Sequence, residues 1–172
     1  GGVGNTIQRH VVGYAPYTFY VYKQVYDENN HPIEGLYEDL NSDGTIDSKD
    51  LYYYKSPAPR WFMGFSNSLE YKNWSFGFVA RASLGNYMYN NFSSNSGSYR
   101  NITLPIGNRI QNVSSSVLET NFGNNQYFSD YYIENASFFR MDNMSLGYNF
   151  GDVGNGVNVR LNAYVQNVFI IT

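Results

Sequence analysis

Between Trp61 and Leu84 the chain alternates with a period of two. From Trp74 one face reads Trp74, Phe76, Phe78, Ala80, Ala82 and Leu84, and the other Ser75, Gly77, Val79, Arg81 and Ser83. This pattern predicts a strand with one apolar side and one small or polar side. The residues before it repeat the pattern, with Trp61, Met63, Phe65, Leu69 and Tyr71 opposed to Gly64, Ser66, Ser68 and Glu70. Lys72 and Asn73, between the two runs, predict a tight hairpin.

The same alternation returns downstream. Met144, Leu146, Tyr148 and Phe150 alternate with Asn143, Ser145, Gly147 and Asn149, and after a glycine-rich break from Gly151 to Gly156 the residues Val157, Val159, Leu161, Ala163 and Val165 alternate with Asn158, Arg160, Asn162, Tyr164 and Gln166. A further strand is predicted from Tyr17 to Tyr26. The connections alternate long and short: residues 27–60 and 90–136 are long, whereas 72–73 and 151–156 are turns. An antiparallel meander then carries both long loops at one end, the asymmetry of outer-membrane barrels. The polar faces also favour a barrel over a sandwich. They carry Ser, Gly, Asn and occasional Arg, as a crowded wet lumen would, and lack the Lys, Glu and Thr expected of a solvated outer sheet face.

Composition agrees. Aromatic residues make up 19% of the chain, including 18 Tyr and 12 Phe, and charged residues only 15%, against the roughly 25% usual for soluble domains. With a formal net charge of -3 and no dense Lys/Arg cluster, the chain has no electrostatic footprint for nucleic acid. There is no cysteine, hence no disulfide or thiolate chemistry. No run of about 18 apolar residues predicts a membrane-spanning helix, which leaves barrel strands untouched. A start at Gly1 and a stop within an apolar run read as a piece of a longer polypeptide.

One stretch breaks the aromatic pattern. In "DLNSDGTIDSKD", Asp39, Asn41 and Asp43 occupy positions one, three and five of a calcium-type loop. Gly44 permits the turn at six, the Thr45 carbonyl serves at seven, Asp47 acts through water at nine and Asp50 closes at twelve. Ile46 is expected to point inward as an anchor. The shorter Asp replaces the usual bidentate Glu at twelve. The alternative is an acidic turn held by side-chain hydrogen bonds to its own backbone, with no ion. With no helix pattern on either side, the expected role is a clasp on a long loop, with Ca2+ as a structural ion.

His10 and His31 have no triad-like neighbours and are expected to be surface residues. No P-loop, zinc signature or GxSxG is present, so no enzyme is expected. Tyr52, Tyr53, Tyr54, Tyr87 and Tyr89 suit either sugar stacking or an interfacial aromatic belt. Arg81 and Arg160 fall on predicted lumenal faces, where they contact solute or pair with carboxylates of a plug inside the barrel.

The stretch Val25 to Asn91, together with "FSDYYIENASFFRMDNMSLGYNF" and "VQNVF", resembles the late barrel region of the SusC/RagA family of TonB-linked outer-membrane transporters. The resemblance covers nearly the whole chain. It implies an all-β, antiparallel fragment, residues 1–172, of a transmembrane barrel of about 22 strands, contributing about five of them, in contact with outer-membrane lipid. It also implies a plug domain, coupling to the TonB complex, a SusD-like surface lipoprotein, and uptake of oligosaccharide or of peptide. Set against it stands a secreted β-sandwich binding module stapled by calcium.

Overall fold

A computed structural model describes residues 7–104 and 109–172. The first six residues and 105–108, the middle of the second predicted loop, lie outside that description. In chain order the strands are β1 (Gln8–Arg9), β2 (Thr18–Tyr22), β3 (Gln24–Tyr26), β4 (Pro32–Tyr37), β5 (Leu51–Tyr53), β6 (Trp61–Tyr71), β7 (Trp74–Leu84), β8 (Tyr87–Tyr89), β9 (Thr103–Leu104), β10 (Arg109–Ile110), β11 (Ile133–Asn135), β12 (Phe138–Asp152) and β13 (Asn158–Ile171). Two short helices, α1 (Asn91–Ser96) and α2 (Val117–Thr120), interrupt them. No helix among the described residues is long and apolar enough to cross a membrane. The chain divides into two compact units.

Pro59–Asn86 and Ala136–Thr172 form the first unit, a four-stranded antiparallel meander ordered β13-β12-β7-β6. Strands β6 and β7 pair without a register break from Trp61↔Leu84 to Tyr71↔Trp74. Lys72 takes φ 54 in the turn between them. Tyr148 lies opposite both Trp74 and Leu161, so the predicted alternations fall into one continuous apolar face. Trp74 and Tyr148 meet with ring centroids 4.6 Å apart. This face is bare: Trp61 is 68% exposed and Leu161 65%. A sandwich would bury such a surface against a second sheet, whereas a barrel wall gives it to lipid.

On the other face the wall is thin. A Cβ on Gly147 would collide with Ser75 Oγ and Asn162 Oδ1, and one on Gly77 would sit 3.0 Å from Ser145 Oγ. Glycine at these two positions lets neighbouring polar side chains close over the backbone. Regular pairing breaks at Asp142, an extra residue in β12 relative to β7, and the same point is irregular against β13. There Asn167 takes φ 53. Such a bulge re-aims side chains, and the readable alternation of β12 resumes only at Asn143.

Gly1–Ala58 and Tyr87–Asn135 form the second unit. Its larger sheet is ordered β1-β2-β5, with β3-β4 and β8-β11 as separate pairs. Ile7, Phe19 and Val21 are its buried centre, packed by Tyr52, Tyr87, Tyr89, Phe128 and Ile133. The run from Tyr17 to Tyr26, expected as a single strand, forms two. Tyr17 stands at φ 60, and the run is split at Lys23 into β2 and β3, both in this unit. The meander accordingly has four long strands among the described residues, where about five were expected. Within this unit, residues of the two long segments are tied to one another by hydrogen bonds from Gly123 to Glu34, Gly35 to Gln126 and Tyr52 to Asp130.

Candidate functional site

The acidic loop enters the structure as a set of reciprocal turns. Asp43 N–H donates to Asn41 Oδ1 (2.8 Å), Thr45 N–H to Asp43 Oδ1 (2.9 Å) and Gly44 N–H to Asp39 Oδ2 (2.8 Å). Gly44 adopts φ +81, the conformation the sixth position demands. Asp50 is fully buried. Its Oδ1 accepts Leu40 N–H at 3.0 Å and its Oδ2 Asp47 N–H at 2.9 Å, while Asp47 Oδ1 accepts Lys49 N–H at 2.7 Å. The Asp47 N–H, above all, holds the Asp50 carboxyl below the usual carboxylate range against the opposing effect of burial, with Asn41, Leu40 and the nearby Lys49 charge assisting.

Lys49 Nζ sits 3.4 Å from Asp43 and 3.5 Å from Asp47. Among the described residues no three Asp, Glu or His side chains converge as a metal centre. One atom is left over: Asp39 Oδ1 is buried with no hydrogen-bond partner, and a buried carboxylate oxygen is costly to leave bare. Of the oxygens that the sequence offers to a hard cation, Asp39 Oδ1 is left without a partner, whereas Asn41 Oδ1, Asp43 Oδ1 and both Asp50 oxygens already accept backbone N–H groups. Ile46 departs from expectation. It is 40% exposed rather than buried.

Three polar side chains, missed in the sequence, bind the two long segments together. Glu34 Oε2 accepts Gly123 N–H at 2.7 Å, and its Oε1 accepts Asn124 N–H at 2.9 Å and Asn124 Nδ2 at 3.0 Å. Burial raises the Glu34 carboxyl, but these donors together outweigh it and leave it below the ordinary value of 4.5. Gln126 Oε1 accepts Gly35 N–H (2.9 Å) and Tyr37 OH (3.2 Å). Asp130 Oδ2 accepts Tyr52 OH at 2.6 Å and its Oδ1 accepts Gln24 N–H at 3.0 Å. No local motif announces these partners, which lie 78 to 106 positions apart.

Tyr52, Tyr53, Tyr54, Tyr87 and Tyr89 all fall in this second unit. Tyr87 and Tyr89 pack on its core, and Lys55 Nζ stands 5.1 Å from the Tyr54 ring centroid and 5.0 Å from that of Tyr87. Tyr53 is half-buried and stacks between Tyr14 and Tyr20, at 4.5 and 4.8 Å.

The arginines lie on the polar face of the meander. Arg160 Nη2 donates to Ser75 Oγ at 2.9 Å. Arg81 is directly opposite Arg140, an arrangement that would repel. Asp142, the bulged residue, bridges them: its Oδ2 is 3.1 Å from Arg81 Nε and its Oδ1 is 3.0 Å from Arg140 Nε. Arg140 also donates to Asn167. The carboxylate that meets Arg81 therefore comes from the neighbouring strand of the wall. The broken alternation in "FRMDNM" was the available signal.

A meander with one bare aromatic face, one small polar face, tight turns at one end and long structured segments in between defines part of an outer-membrane β-barrel. No family model matches the chain. It is 46% identical, over 99% of its length, to the TonB-dependent receptor SusC of Bacteroides thetaiotaomicron, and 30% identical over 89% to the TonB-dependent receptor P3 of Formosa agariphila. The RagAB peptide importer in its open-open state superposes over the whole chain with a TM-score of 0.66 at 19% identity. The chain spans 18% and 17% of the two receptors and 20% of the solved chain. It is a segment of a SusC-type TonB-dependent receptor of the outer membrane.

Proposed function

We propose that this segment supplies barrel wall and outer loops to an importer that takes up oligosaccharides, working with a SusD-like surface lipoprotein and energised through TonB. The observation that carries this reading is the 46% identity to SusC along 99% of the chain. The bare apolar face of the meander supports the wall assignment. The loop unit, stiffened by Glu34, Gln126 and Asp130, supports a preorganised outer surface. Uptake of peptide is the second reading, motivated by the superposition on a peptide importer. Cells lacking the full-length receptor should lose uptake of a fluorescently labelled neutral oligosaccharide and regain it on complementation. Loss of peptide uptake with oligosaccharide uptake intact would overturn the reading.

The acidic loop is a structural clasp that takes calcium. Support comes from the unpartnered Asp39 Oδ1 and from a donor set of carboxylate, amide and carbonyl oxygens suited to a hard cation. When bound, the ion supplies charge that draws these oxygens together. Asp50 holds the loop ends in place through Leu40 and Asp47 whether or not the ion is present. Lys49, paired with Asp43 and Asp47, competes with the ion for the same carboxylates.

A further inference from the structure

The outer face of the β1-β2-β5 sheet is unusual for a surface sheet. On β2, Phe19 and Val21 point to the core, which sends Tyr20 to the opposite face, beside its partner Tyr53 on β5. Tyr14 continues the row. The three rings form a tilted stack, Tyr20 to Tyr53 at 4.8 Å and Tyr53 to Tyr14 at 4.5 Å, each pair inclined at 35°. One end of the stack is closed: the Arg9 guanidinium lies over Tyr20, 4.4 Å from its centroid. Tyr14, at the other end, is 53% exposed. It borders an open concavity of about 330 Å³ lined by His10, Val11, Val12, Tyr14 and Pro16.

We propose that this concavity is a sugar subsite, in which one pyranose ring stacks its C–H face on the open end of the tyrosine stack at Tyr14. The proposal rests on the oligosaccharide reading above and adds to it the residues that would hold one ring. Its volume falls at the low end of the roughly 300–1,000 Å³ typical of small-molecule sites, as suits one ring of a longer chain. An aromatic face carries partial negative charge and complements the weakly positive C–H bonds of a sugar face. Stacked neighbours hold Tyr14 in place, so little ordering cost falls on binding. Val11, Val12 and Pro16 give an apolar rim. His10, held edge-on against Tyr17 at 4.2 Å, gives a polar nitrogen for a hydroxyl.

The lining decides between ligand classes. It holds no Asp, Glu, Lys or Arg, and the nearest cation of the stack, Arg9, lies at its far end. A peptide terminus or charged side chain would find no counter-charge in this lining. An uncharged polyol ring needs none.

The test is isothermal titration of the full-length receptor, purified from outer membranes, with maltohexaose, cellohexaose and mannohexaose, and in a separate arm with a hexapeptide uncharged and capped at both ends. For any sugar that wild type binds, Tyr14→Ala and Tyr14→Leu should each weaken binding about tenfold or more, while Tyr14→Phe, which keeps the ring, should stay within about twofold. Leu keeps apolar bulk without an aromatic face, so wild-type affinity in Tyr14→Leu overturns the stacking subsite even if Tyr14→Ala misfolds. Wild-type affinity in both variants overturns it as well, and leaves the oligosaccharide reading standing. If wild type binds the capped peptide and none of the sugars, the oligosaccharide reading itself falls, and this subsite with it.

Discussion

Glu34 holds Asn124 by a single carboxylate oxygen: Oε1 accepts both its backbone N–H, at 2.9 Å, and its side-chain amide, at 3.0 Å. A glutamate in one long segment thereby recognises the turn of another, 90 positions away. Replacing it by Ala should free both segments. Because Glu34 is an exposed residue, the cost should be modest, about 1 kcal/mol, and local. Hydrogen exchange in the full-length receptor should quicken at Gly123 and Asn124 and stay unchanged in Trp61–Tyr71. Unaltered exchange at Asn124 would show that Glu34 does not hold the turn.

The same contact sets a pH response. The Glu34 carboxyl lies below its ordinary value in the folded chain, so the stabilisation is fully present above that value and is lost as pH falls through the lower, folded one. Protection of Gly123 and Asn124 should hold from neutral pH down to the ordinary carboxyl value of 4.5 and be lost progressively below it. Glu34→Gln should flatten the profile. A wild-type decline beginning near pH 6 would assign the effect to another group.

Asp142 keeps Arg81 and Arg140 from repelling one another across the strand pair. Asp142→Ala should lower barrel stability by about 1–2 kcal/mol, since both ion pairs are partly screened by solvent. Adding Arg140→Gln to that variant should restore part of the loss, because the like charge is then gone. Urea titration in micelles measures both. An additive double variant would show that Asp142 acts through something other than the two arginines.

For the acidic loop the readout is protease cleavage within 27–60. Chelation should increase cutting of the wild type and make no difference to an Asp39→Ala/Asp43→Ala variant, in which the ion has lost its ligands. Asp50→Ala should be cut faster, roughly tenfold, with or without calcium, because the Leu40 and Asp47 N–H groups lose their acceptor. Equal resistance of the wild type in calcium and in chelator would leave a metal-free turn.

The sequence by itself determined the meander. Trp61 to Tyr71, Trp74 to Leu84, and the runs through Met144–Phe150 and Val159–Val165 carry a period-two pattern because each strand has one side for lipid and one for a wet interior. That choice is made residue by residue, and so can be read locally. The hairpin at Lys72 and Asn73 and the turn geometry at Gly44 were legible for the same reason.

What only the tertiary structure decided depends on partners distant along the chain. A bulge is a mismatch between two strands, so the meeting of Arg81 with Asp142 exists only once β7 and β12 are in register. Glu34, Gln126 and Asp130 look like ordinary polar loop residues until folding brings their donors within 3.2 Å. The run from Tyr17 to Tyr26 reads locally as one strand, yet it is divided between two sheets, because burying Phe19 and Val21 against Ile7 and donating Gln24 N–H to Asp130 draw its halves to different neighbours. Alternation reports which side of a strand is apolar; which strand lies alongside is settled by contacts that no local stretch encodes.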